Sequence, residues 1–167
     1  MNAWLITLLF ISEILVLYAV SRVSTSFIFY VFKKVTKSTD ISFALLTFIF
    51  SPGTVLHELS HFLMATILFL RVREFNLLPV WKGNHIKLGS VVYEKKDLIR
   101  GIIVGIVPIW TGIGALAILA YYLHGGEVSA GLKILLWYLV FVISSTMFSS
   151  QQDLKDVIYI LPLLIIF

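Results

Sequence analysis

Five consecutive residues, His57-Glu58-Leu59-Ser60-His61, form an H-E-x-x-H pattern. On a helix, residues four apart share a face, so two imidazoles at this spacing can hold one zinc ion. Glu58 lies between them in sequence, close enough to take a proton from a water that zinc activates at neutral pH. The same carboxyl can return the proton to a leaving amine, while the metal polarises the carbonyl under attack. The chemistry expected of such a set is hydrolysis of a peptide bond. A chance match on a surface helix is the competing reading, and the surroundings argue against it. The pattern sits inside the apolar run Ile41–Leu70. An ionised side chain at a bilayer centre costs about 2.5–3.5 kcal/mol on insertion scales, so two histidines and a glutamate there call for a partner such as a metal.

Spacing adds to this. Gly53, His57, His61 and Ala65 fall at four-residue steps, which flanks the histidine face with small residues. Small residues let a neighbouring helix approach closely. A catalytic zinc also needs a third protein ligand and one open position. His85 and His124 are poor candidates, since one falls in a polar stretch and the other in a turn on the opposite side. Asp153 and Asp156 are better placed, in a polar break after the last long apolar run. Asp153 is the preferred third ligand and Asp156 the alternative; the competing reading is that both aspartates only mark a membrane interface. The expected site is thus Glu58 as base with His57, His61 and Asp153 on zinc.

The elements that must position these residues are membrane helices. The chain is 59% hydrophobic and 13% charged, against about 25% charged in a soluble domain. That deficit excludes an ordinary soluble globule. The net charge of +4 does not point to nucleic acid, because the basic residues cluster between apolar runs and lack interleaved aromatics. There are no cysteines, so disulfides, thiolate nucleophiles and cysteine–zinc sites are excluded. The N-terminal apolar stretch lacks a basic leader region and reads as a retained span.

Spans need roughly 20 apolar residues. The runs are Ala3–Val20, extendable through Phe27–Phe32; Ile41–Leu70, in which Ser51-Pro52-Gly53 predicts a break and a new helix from near Thr54; Gly101–Leu123; and Gly131–Phe148. Val157–Phe167 is apolar but too short to span alone. Between the second and third runs, Phe75, Leu77, Ile86, Leu88, Val91 and Tyr93 alternate roughly with polar residues around Lys82-Gly83-Asn84, which predicts a β-hairpin. The fold class expected is an all-α membrane protein of about four to five transmembrane helices, with a β-hairpin insertion between the second and third spans, forming a single domain over 1–167. Arg71–Arg100 holds seven Lys/Arg and His124–Ala130 none, which places the hairpin side in the cytoplasm. Lys33, Lys34 and Lys37 conflict with that orientation if every run is a simple crossing.

At these residues the chain resembles the site-2 protease family of intramembrane zinc metallopeptidases. The resemblance rests on His57-Glu58-x-x-His61 with Ala65 four residues on, a hairpin-like segment holding Lys87-Leu88-Gly89-Ser90-Val91, two further spans and a late aspartate. It covers about residues 41–156. It implies that His57, His61 and Asp153 bind Zn2+, that Glu58 is the general base, and that the substrate is a membrane-anchored protein. The family's usual late motif has Asn and Pro ahead of Leu-Asp-Gly, whereas Ser149–Lys155 contains no Asn, Pro or Gly. This describes a compact, divergent member, multi-pass in the cell membrane and in contact with lipid. The competing function is a non-catalytic membrane metal-binding scaffold or a degenerate protease. Retention of Glu58 argues against that reading, because a structural zinc needs no base.

Overall fold

In the computed structural model of the chain, the backbone is described for residues 3–77, 80–82, 85–87, 89–94, 96–125 and 128–148. Four helices account for most of these residues: α1 Ala3–Thr36, α2 Thr39–Ile67, α3 Leu98–Gly125 and α4 Ala130–Thr146. Among the described residues, three segments are long and apolar enough to cross a membrane, namely Leu15–Thr36, Thr39–Ile67 and Leu98–Gly125. They mark the chain as a membrane protein. Helix α4 is apolar but shorter, at 17 residues.

The chain divides into two compact units, Met1–Phe48 and Ile49–Phe167. In the first, the polar stretch after Val20 does not interrupt α1. Its hydroxyls turn back on their own helix, as where Thr25 Oγ1 donates to Ser21 O at 2.9 Å. The turn from α1 into α2 is tied by hydroxyls, with Ser42 Oγ donating to Ser38 O at 2.6 Å and lying 2.8 Å from Thr36 Oγ1. Phe29 and Phe43 pack ring against ring across the same turn, with centroids 4.4 Å apart.

In the second unit, α2 corrects the sequence expectation. The chain does not break at Ser51-Pro52-Gly53, and one helix runs from Thr39 through Pro52 to Ile67. Proline removes a single amide hydrogen and crowds the preceding turn, a disturbance that neighbouring helices can absorb. Helix α4 packs on this turn, the Tyr138 hydroxyl donating to Ile49 O at 2.6 Å. Gly53 then lets α4 close in. A Cβ there would run into Thr146 Oγ1 and would lie 2.8 Å from Val142 O. The contacts Ile49–Tyr138 and Gly53–Val142/Thr146 advance in step, so α2 and α4 run parallel. Helix α3 runs the other way: His61 meets Val104, and further along α2 Leu68 meets Arg100.

Helix α2 ends with Phe69 in the left-handed region at φ 56°. Leu70 N donates to Ala65 O at 2.8 Å, closing the six-to-one ring usual where a helix stops on a left-handed residue. Two cations satisfy the last carbonyls, Arg100 Nη1 on Leu68 O at 3.1 Å and Lys96 Nζ on Phe69 O at 3.0 Å. Positive groups are favoured at this end of a helix.

Between α2 and α3 the described residues form four short strands, β1 Val72–Asn76, β2 Val80–Lys82, β3 His85–Lys87 and β4 Ser90–Tyr93. They form two antiparallel pairs, β1 with β4 and β2 with β3. The register sets Val72 opposite Tyr93 and Asn76 opposite Ser90, with an irregularity between Val72 and Glu74. Val72 and Tyr93 pack on the buried cluster of Ala65, Leu70 and Val104, where α2 and α3 meet. Phe62 of α2 stacks on Phe75 of β1 with centroids 4.4 Å apart. The β1–β4 pair is therefore fixed to the same stretch of α2 that carries the histidines.

Candidate metal and active site

His57, His61 and Ala65 share the buried face of α2, with exposures of 9%, 5% and 0%. The two imidazoles converge. His57 Nε2 and His61 Nε2 stand 3.2 Å apart, with ring centroids separated by 4.8 Å. His61 Nδ1 lies 2.8 Å from Val104 O on α3. A carbonyl oxygen only accepts, so Nδ1 carries the proton in this contact. In the neutral ring the lone pair is then on Nε2, the nitrogen aimed at His57.

This pair fits a metal. Two nitrogens on one tetrahedral zinc, at the usual Zn–N length, stand about 3.3 Å apart. A ligand histidine commonly donates its other nitrogen to a carbonyl, which fixes the tautomer and the ring orientation. The His61–Val104 contact supplies that arrangement. Without a metal, the 3.2 Å separation suits a hydrogen bond in which His57 Nε2 donates to His61 Nε2.

Glu58 points to the side of this pair, toward the strands. It is half-buried and packs on the backbone at Gly89, immediately before β4. A Cβ at Gly89 would lie 2.6 Å from Glu58 Cγ and 3.2 Å from Oε1. Gly89 and Ser90 are themselves buried. The carboxylate thus occupies a slot between α2 and β4 that exists because residue 89 has no side chain.

Among the described residues, no set of three or more His, Asp or Glu side chains is gathered closely enough to hold a metal. Asp153 and Asp156, the expected third ligand and its alternative, lie outside the described residues. His124 is bound to its own helix, with Nδ1 2.9 Å from Ala120 O. The described residues bring His57 and His61 together through their Nε2 atoms and set Glu58 beside Gly89.

Three contributors have no role assigned by the sequence alone. Gly89 reads only as part of the hairpin-like segment, and its use depends on the approach of Glu58 from another element. Pro108 reads in sequence as a helix kink, and Val104 as one more apolar residue of that helix. Val104 lies 43 positions from His61, beyond the range of local spacing. The proline of the third apolar run is the one signal the sequence offers.

No protein-family model, curated protein or solved structure matches the chain.

Proposed function

We propose that the chain is an intramembrane zinc metalloprotease, similar to site-2 proteases, that hydrolyses peptide bonds of membrane-anchored proteins. The observation that carries this reading is the 3.2 Å approach of His57 Nε2 to His61 Nε2, inside an apolar helix, with Glu58 adjacent in sequence. Buried ionisable groups in an apolar span are costly and call for a functional partner.

In this reading His57 and His61 hold the metal through Nε2, and His61 keeps its Nδ1 proton on Val104 O. Asp153 is the third ligand. Helices α2 and α4 run parallel and meet at Gly53 and Thr146, one turn before His57, so the chain leaving α4 starts near the depth of the histidines. Bound zinc supplies a Lewis acid for the scissile carbonyl and acidifies water. Glu58 takes the proton from the attacking water and gives it to the leaving amine nitrogen. The carbon–nitrogen bond breaks, and the products are a carboxylate and an amine. The slot at Gly89 holds the carboxylate against β4 and limits the directions it can face.

The finer architecture belongs to the same proposal: four to five crossings of the cell membrane, with the strands as an insertion between the second and third, lying on the side where the site opens. The alternative, a membrane metal scaffold without catalysis, has no use for a base beside the metal pair.

The first experiment is metal content. The purified chain is expected to hold one zinc, and His57→Ala and His61→Ala each to lose it. Stoichiometric zinc in the double variant would remove the site from consideration.

A further inference from the structure

The proline of α3 and the histidine of α2 are related through one carbonyl, Val104 O. In an α-helix the amide of residue i donates to the carbonyl of residue i−4. The partner of Val104 O would therefore be the amide of residue 108. Residue 108 is proline, within α3, and has no amide hydrogen. The carbonyl that loses its helical donor is the same one that His61 Nδ1 reaches at 2.8 Å. Val104 and Pro108 are both fully buried, so water is not at hand to replace the missing donor. A buried carbonyl requires some donor, and the imidazole N–H meets that requirement.

We infer that Pro108 is a positioning residue for the metal site: by withholding an amide hydrogen it reserves Val104 O for His61 Nδ1–H, and so commits His61 Nε2 to the metal. This goes beyond a kink. A kink changes the direction of a helix, whereas this arrangement selects the tautomer and ring orientation of a ligand on another helix. Helix α2 differs. The carbonyl four residues before Pro52 is that of Phe48, and the Tyr138 hydroxyl of α4 donates to Ile49 O instead, at 2.6 Å. At Pro108 the side chain from the neighbouring helix reaches the carbonyl whose helical donor the proline withholds, and that side chain is one of the histidines of the pair.

The inference rests on the zinc reading above, and its test separates the two. Pro108→Ala and Pro108→Val both restore an amide hydrogen that recaptures Val104 O within α3, while Val stays nearer to proline in volume. In both variants the zinc dissociation constant, measured by chelator competition, is expected to rise about tenfold to a hundredfold, the usual effect of losing a group that orients a ligand. In metal-free protein carrying 15N-labelled histidine, the His61 signals are expected to report protonated Nδ1 in the wild type and a mixture of tautomers in both variants. Wild-type zinc affinity and an unchanged His61 tautomer in both variants would overturn the role of Pro108 alone. Loss in Pro108→Ala with full retention in Pro108→Val would also overturn it, assigning the effect to packing. A wild-type chain that binds no zinc would overturn the metal reading, and this role with it.

Discussion

The Glu58 side chain lies against the backbone of Gly89 so closely that a Cβ at position 89 would sit 2.6 Å from Glu58 Cγ. Something must move if that Cβ is added. The Glu58 side chain can swing away more easily than the paired strands can shift. Gly89→Ala is therefore expected to cost less than about 1 kcal/mol, below the usual overpacking range, while displacing the carboxylate. A misplacement of about 1 Å can cost on the order of a hundredfold in rate. Cleavage of a membrane-anchored reporter should fall by that order, with zinc content unchanged. Wild-type cleavage in Gly89→Ala would show that the slot does not position the base.

Gly53 presents the opposite case, because the atoms it meets include backbone of α4. A Cβ there would run into Thr146 Oγ1 and stand 2.8 Å from the backbone oxygen of Val142. Gly53→Ala must separate α2 from α4 and is expected to destabilise the protein by about 1–3 kcal/mol. Unfolding in detergent measures this. An unchanged transition would mean that the two helices are not closely packed at this level.

The third ligand proposed above is Asp153, with Asp156 as the alternative. Asp153→Ala should release zinc from the purified protein, and Asp156→Ala should retain more of it. The reverse order would move the assignment to Asp156.

Outside the helices, Arg73 and Glu94 clip β1 to the chain just beyond β4. Arg73 Nη2 lies 2.7 Å from Glu94 Oε1. The hydrogen bond from Arg73 holds the Glu94 carboxyl below its ordinary value. A carboxyl lowered in the folded state contributes stability above its unfolded value, and the contribution is lost as pH falls through the lowered folded value. The pair is exposed, so the effect is small and screened by salt. Hydrogen exchange of the β1–β4 amides should speed up on acidification through that range in the wild type, and should lose this pH dependence in Arg73→Ala. Identical profiles for the two proteins would show that the pair does not hold the strands.

The histidine pair was legible in the sequence because its geometry is local. Four-residue spacing on a helix brings His57 and His61 together whatever surrounds them, and the long apolar runs mark the helices by composition. The course of α2 through Pro52 was not legible, because the helix that packs on that turn is distant in sequence, Tyr138 lying 89 positions from Ile49. Local propensity registers the lost amide of a proline but not a neighbouring helix packed against it. The same holds for Val104 and His61, and for Glu58 and Gly89. In each, one partner has an unremarkable local pattern and acquires its role only when helices and strands come together.

The most direct measurement is cleavage by Glu58→Gln beside the wild type, in reconstituted bilayers, with zinc read on the same samples. Glutamine keeps the shape of Glu58 in the slot at Gly89 and much of its hydrogen bonding, but cannot accept and deliver a proton. The prediction is that zinc stays and cleavage of a membrane-anchored reporter falls by at least about a hundredfold, the lower range for losing general acid–base help. Equal cleavage by wild type and Glu58→Gln with zinc retained would contradict the proposed mechanism, and absence of cleavage from the wild type itself would contradict the proposed activity.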